Sequence, residues 1–483
     1  MTTATNGWIS VDSANGRLST IGDPSCFAGH RVGDAGDDGI YAGWTSDGQA
    51  VRIEQDRYGL FPLFRCESPA GFSLSTDLAR LIELGADPAL DLDALSIFLR
   101  LGFFVGADTP FASIRAVLPE RVASAAAPRS RRSAVDRYID LFRQAIRRRL
   151  PTADYVLPLS GGRDSRHILY ELVRAGRPPA RCVTVRHFPP RGDEDVEIAR
   201  TVCERLGLAH VVLEQPRDRL DAERRKNVRT HFCTEEHAQF LILADYVSAS
   251  TPETYDGIGG DVLSQSSYAN PELLALLRRG DVRGAAEHIL RGDGNVVSER
   301  ALSRLVAPHL HVQLSRDRAV ERLRRELATH LDAVNPMTSF YFSNRTRREI
   351  ALAPYGLQRA TRTFAPYLDH DLFDFLCSLP PELTLDRTLH TETIGAAFPA
   401  YGDIGYERRS PRTQDAGGQR RLARGLLKML ANGRGRQILN RPGLLPSFAW
   451  TAVTGSTERL WSVPFAILLE QIGAVAGRDR QPG

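Results

Sequence analysis

From Asp38 to Phe64 the chain reads DGIYAGWTSDGQAVRIEQDRYGLFPLF, and GFSLSTD follows at Gly71. Short apolar runs alternating with turn residues predict an antiparallel β layer over residues 1 to about 120, followed by a helix in LDLDALSIFLRLGFF. At Ala123–Ala134 the pattern stops: ASAAAPRSRRSA is small, basic and without apolar period, which predicts a domain linker. Apolar residues then return at helical spacing in AVDRYIDLFRQAIRRRL. YVLPLS, RCVTVRHF, AHVVLE and ETYDGIGG recur as short buried strands between helical stretches. That alternation predicts a parallel sheet covered by helices, an α/β architecture. Residues from about 270 to 475 read as mostly helical, with no internal repeat, and 476–483 as a frayed tail.

Composition narrows the class. With 483 residues and 42% hydrophobic content, the chain is long enough for two or three domains with a large core. No apolar run is long enough for a membrane span, and the first thirty residues lack the pattern of a signal peptide, so a cytoplasmic location without membrane contact is expected. A net charge of +4 gives no reason to expect a nucleic-acid partner. Six cysteines stand singly, away from any metal-ligand spacing, as reduced core residues. Among 62 basic residues only Lys226 and Lys428 are lysine, which leaves few amines for chemistry.

The candidate chemistry begins at VLPLSGGRDSRHILYEL, Val156 to Leu172, where an apolar strand passes through a serine and two glycines into a helix. Amide groups of such a turn converge at the positive end of the helix dipole and bind anions. Gly161 and Gly162 allow close approach of phosphate oxygens, and Ser160 and Ser165 add hydroxyls. Asp164 cannot face a phosphate directly; its place is explained if Mg²⁺ lies between them. Arg163 and Arg166 beside the loop are either cations that grip a triphosphate or solvated first-turn residues.

SGGRDS resembles the pyrophosphate-binding loop of the ATP pyrophosphatase (PP-loop) superfamily. DRYGLFPLF, FSLSTDLARLIELG and TPFASIRAVLP are similar, in order, to the N-terminal domain of asparagine synthetases. YDGIGGDVL (Tyr255–Leu263) resembles the second nucleotide loop of their synthetase domain, and FAPYLDHDLFDFLCSLP (Phe364–Pro380) their late helical segment. The resemblance implies a degenerate, truncated glutaminase-like domain of the Ntn-hydrolase type at 1–122. After the linker at 123–134, it implies a PP-loop synthetase domain with a helical C-terminal region at 135–475. It also implies that Leu159 and Val185 flank an adenosine, that Asp256 and Gly257 line the nucleotide, and that Asp164 and Asp261 ligate Mg²⁺. Buried strand residues and turn acids are the competing readings; two acids on loops at the carboxyl ends of parallel strands favour a shared site.

Three departures from that family redirect the expected chemistry. Thr2 follows Met1 where glutamine-dependent members begin with cysteine, so glutamine is not the expected nitrogen donor. Ile258 stands where asparagine synthetases carry an acid and β-lactam synthetases a tyrosine, and isoleucine cannot take a proton from an attacking amine. Glu349, near the place of a catalytic glutamate in the β-lactam enzymes, is the candidate base, or else an i,i+4 partner of Arg345. The family's late lysine has no counterpart in YERRSPR, which leaves Arg409, beside Arg408, or Lys428 from a nearby helix as the charge-stabilising cation.

The expectation is therefore an ATP- and Mg²⁺-dependent ligase that adenylates a small-molecule or peptide carboxylate, releases pyrophosphate and joins the acyl group to an amine. Cyclisation of β-lactam or lasso-peptide type, within specialised metabolism, fits that chemistry, with a biosynthetic partner protein or a homodimer as candidate assemblies. Ammonia-dependent asparagine synthesis, a tRNA-modifying enzyme sharing the loop, and a non-catalytic ATP-binding scaffold are the rivals.

Overall fold

A computed structural model describes residues 7–12, 19–33, 37–121, 130–189, 192–265, 270–291, 297–407, 415–456, 460 and 462–477. The N-terminal part holds two antiparallel sheets. In one, β1 (Trp8–Asp12), β2 (Ser19–Gly22), β6 (Phe64–Ser68), β7 (Gly71–Ser75) and β8 (Ile114–Ala116) are ordered β2-β1-β7-β6-β8. In the other, β4 (Asp38–Ser46) lies between β3 (Ser25–Val32) and β5 (Val51–Gln55). Alternation decides the buried face: Ile9 pairs with Leu74 and both are fully buried. The expected helix is Leu92–Leu101, capped by Asp91, whose side chain accepts from Ala94 N, and ended by Gly102 at φ 83°.

The motif DRYGLFPLF folds around its aspartate. Asp56 is fully buried and accepts amide hydrogens from Tyr58 at 2.9 Å and from Leu60 at 3.2 Å. Beyond this turn, Arg57 meets Asp374 at 2.8 Å and the Tyr58 ring lies 4.6 Å from that of Phe373. The β layer is thus bolted to the late helical segment, and one hydrophobic cluster runs through Tyr58, Leu63, Phe142, Tyr367 and Phe373. A second cluster joins Phe64 and Phe98 to Phe465 and Leu468 near the C-terminus.

The expected linker, 123–134, overlaps a helix at its end. Residues 122–129 lie outside the described ones, and a helix begins at Arg131, with the Ser130 hydroxyl accepting from Ser133 N at 3.2 Å. The N-cap overrides the small, basic composition, so 131–134 belong to the helix Arg131–Arg148.

All four expected parallel strands are present. β9 (Val156–Pro158), β10 (Arg181–Val185) and β11 (His210–Leu213) form one sheet in the order β11-β10-β9. β12 (Glu253–Tyr255) pairs in parallel with β13 (Arg362–Phe364), a three-residue strand too short for a sequence pattern to show. Thr254 donates its hydroxyl hydrogen to the Val156 carbonyl at 2.7 Å, so β12 runs beside β9. Later residues are mostly helical, and Phe342–Ile350 is wound as a π-helix. Among the described residues no helix is long and apolar enough to cross a membrane.

Candidate nucleotide and acceptor site

The carboxyl ends of β9, β10 and β12 open into a cavity of about 400 Å³. Leu159, Ser160, Asp164, Ser165 and Val185 line it from the first loop and its neighbouring strand, and Asp256, Gly257 and Asp261 from the second loop. Eight of the residues expected from sequence therefore share one space. Gly161 and Gly162 shape the loop without lining it.

The loop is held in shape by its own hydroxyls and by charged residues outside it. Ser160 N donates to Ser165 Oγ at 3.1 Å, and Gly162 N to Ser160 Oγ at 3.1 Å. The helix Asp164–Arg174 begins without a side-chain cap, which leaves its first-turn amides without a capping hydrogen bond. Gly161 N donates to Asp195 Oδ1 at 2.7 Å, and His187 Nε2 lies 3.3 Å from the other oxygen of Asp195. Sequence reasoning missed Asp195, which is 34 residues from Gly161.

Arg166 neither grips a phosphate nor sits in solvent. It is 1% exposed and donates to the carbonyls of Gly162 at 2.9 Å, Gly161 at 3.0 Å, Gly405 at 2.8 Å and Ile404 at 3.2 Å. Burial favours an arginine that satisfies four carbonyls at once, so this cation clamps the loop to the 404–406 turn. Arg163 donates to Thr391 at 2.6 Å and stacks over Tyr406.

The second loop approaches the first as closely as glycine permits. A Cβ on Gly257 would come 2.5 Å from Asp164 Cβ, and one on Gly260 2.6 Å from Asp164 Oδ1. Gly259 between them has φ 92°. The approach gathers Asp164, Asp256 and Asp261. Burial, reinforced by the Asp164 charge, raises Asp256 and Asp261 each to about 6. Asp164 Oδ1 is buried without a hydrogen-bond donor in bonding geometry, although His390 Nδ1 stands 3.3 Å away. His390 is itself enclosed by Tyr367 at 3.1 Å and His167 at 3.2 Å, a constellation no local signal revealed. An unsatisfied carboxylate oxygen among further carboxylates is a donor set for a hard divalent cation, and Asp164 and Asp261 fit Mg²⁺.

The expected catalytic residues fare differently. Glu349 is 2% exposed and does not line the cavity. Its carboxylate lies 3.0 Å from Arg345 Nε, and the π-helical winding turns Arg345, Thr346 and Ile350 to the cavity instead. Burial, with Glu236 adding, pushes Glu349 up to about 8. Lys428 is exposed on the helix Ala416–Asn432 and is not part of the described cavity lining, because Leu426, Met429 and Leu430 take that helix's buried face. Arg409, with Arg408, lies outside the described residues. Arg345 is the cation among the described lining residues. Ile258 is a buried apolar part of the wall.

Parallel strands of two adjoining sheets bring a glycine-rich loop and paired acids together at their carboxyl ends, the arrangement in which α/β proteins commonly bind nucleotides. Over residues 137–261, which span both loops, the chain matches the family model described as asparagine synthase. That match supports an ATP-utilising amide ligase. A structure of NMN synthetase from Francisella tularensis is 15% identical over 42% of this chain and 85% of that one, with a TM-score of 0.21, too low to bear on the fold. No curated protein matches the chain.

Proposed function

We propose that the protein adenylates a carboxylate with ATP, releases pyrophosphate and forms an amide from an amine without hydrolysing glutamine. The observation that carries this reading is the meeting of Asp164 and Asp261 in one cavity with the Ser160 loop. Ser160, Ser165 and the uncapped helix start offer donors to the phosphates, and Val185 and Leu159 offer an apolar seat for the base. Asp164 and Asp261 would hold Mg²⁺, which when bound supplies positive charge to the phosphate oxygens. The family match to asparagine synthases supports ATP use.

Proton removal from the amine needs a group other than Ile258. Glu349 acts behind the wall, through Arg345 and Glu236, rather than on the substrate. Arg345, 3.0 Å from Glu349 and facing the cavity, is placed to balance negative charge beside Asp261. Intramolecular closure, of the kind made by β-lactam synthetases and lasso-peptide cyclases, is one form of this amide-forming chemistry.

The test is exchange of labelled pyrophosphate into ATP across a panel of carboxylic acids that includes aspartate and peptides, with Asp164→Ala beside the wild type. Exchange that requires one acid and disappears in Asp164→Ala is expected. Selectivity for aspartate would move the reading to ammonia-dependent asparagine synthesis. Absence of both exchange and Mg-ATP binding would overturn the ligase reading.

A further inference from the structure

The cavity lining includes three hydrogen-bond acceptors to which the proposed adenylation assigns no role. They are the Glu236 carboxylate, His237 Nδ1 and Gln358 Oε1, all on residues lining the space that holds Asp164 and Asp261. His237 is 3% and Gln358 5% exposed, and among the described residues neither His237 Nδ1 nor Gln358 Oε1 has a hydrogen-bond partner. A buried acceptor left without a hydrogen bond is costly. A ligand able to donate to both removes that cost.

The tautomer of His237 follows from its neighbour. Nε2 lies 3.1 Å from the Glu349 carbonyl oxygen, which can only accept, so Nε2 carries the hydrogen and Nδ1 keeps its lone pair. The backbone of His237 is held at φ 80°, a left-handed conformation unfavourable for a residue with a Cβ. Burial lowers the imidazole to about 4, so it stays a neutral acceptor at pH 7.

The turn carrying Glu236 is equally fixed. Lys226, one of the two lysines, is fully buried and donates to the carbonyls of Thr234 and Glu235 at 2.9 Å each. Thr234 Oγ1 accepts from Glu236 N at 3.0 Å. The Glu236 side chain is 40% exposed and lies 3.9 Å from Arg345, whose Nε is engaged by Glu349 at 3.0 Å. Glu235, Glu236 and Glu349 bring carboxylate oxygens within 4.8 Å of one another, with the charges of Lys226 and Arg345 beside them.

A ligand that complements one carboxylate and two lone-pair acceptors is positively charged and donates several hydrogens. An alcohol donates only one, and a carboxylate is repelled by Glu236. We propose that Glu236, His237 and Gln358 form the subsite for the ammonium group of a primary amine, the acceptor substrate of the ligase. The assignment rests on the ligase reading for its reaction and on the acceptors themselves for binding. One proton passes from the ammonium nitrogen to a Glu236 oxygen, leaving the nitrogen lone pair free to attack the acyl carbon.

n-Propylammonium and n-propanol at millimolar concentration serve as probes, followed by ligand-observed NMR with the full chain and Mg-α,β-methylene-ATP. Calorimetry of the wild type with Mg-ATP runs alongside. Propylammonium should bind the wild type and weaken at least tenfold in Glu236→Gln and several-fold in Gln358→Met, in variants that still melt cooperatively, while propanol does not bind. If Glu236→Gln fails to fold, Gln358→Met decides. Equal binding to wild type and variants, equal binding of propanol, or no propylammonium binding by a wild type that binds Mg-ATP overturns the subsite. Propylammonium binding with the expected losses but without Mg-ATP binding would keep the subsite and overturn the ligase reading.

Discussion

Gly260 packs so tightly beneath Asp164 that a Cβ on it would stand 2.6 Å from the carboxylate oxygen Oδ1. The candidate metal site therefore depends on the absence of a side chain 96 positions further along the chain. Gly260→Ala should push Asp164 out of place, lowering Mg-ATP affinity at least tenfold and stability by about 1–3 kcal/mol through overpacking. Calorimetry with and without Mg²⁺ and urea unfolding read the two effects separately. Unchanged Mg²⁺ dependence would remove Asp164 from the site.

Arg166 is expected to matter to the loop rather than to phosphate charge. Arg166→Leu removes the guanidinium from the carbonyls of Gly162, Ile404 and Gly405, and from that of Gly161, which keeps the Glu407 amide. A loss of on the order of 3 kcal/mol is expected in urea unfolding, with Mg-ATP affinity falling as the loop loosens. A phosphate ligand would instead lose affinity with stability intact.

Glu349 gives a pH signature. Its folded value of about 8 lies above the ordinary 4.5, held up by burial and by Glu236, with Arg345 opposing. The folded state thus holds a proton that the unfolded chain releases, so this group's contribution is full below 4.5 and is lost as pH rises to about 8. Denaturation from pH 5 to 8.5 should show Glu349→Gln gaining stability relative to wild type with rising pH. A constant difference would show that Glu349 ionises normally.

The two lysines should behave in opposite ways. Lys428→Ala changes an exposed helix position and should alter stability by no more than about 0.5 kcal/mol, leaving pyrophosphate exchange within twofold. Lys226→Met abandons two buried carbonyls and the nearby Glu223, 3.7 Å from Nζ, and should cost about 2–4 kcal/mol. Thermal melts of the two variants with exchange assays on Lys428→Ala check both; loss of exchange there would return Lys428 to the catalytic set.

The sequence by itself determined the elements whose signals are local. Val156–Leu172 shows strand, glycine turn and helix in one stretch, and Asp164, Asp256 and Asp261 stand out because each lies in a glycine-rich loop behind a short apolar run. β12 and the neighbouring parallel strands were legible for the same reason. Tertiary structure decided everything that depends on residues far apart in the chain meeting. Asp195 reaches Gly161 from 34 residues away and His237 meets the Glu349 carbonyl across 112. No periodicity encodes such meetings. Tertiary packing also set the direction of side chains within a recognised helix. The π-helical turn sends Arg345 to the cavity and Glu349 behind it, and burial makes Arg166, open to a solvated reading in the sequence, and Lys226 donors for buried carbonyls. Motifs record local backbone needs, whereas the partners of a buried charge are chosen by the whole fold, because only the complete interior fixes which polar groups have lost water.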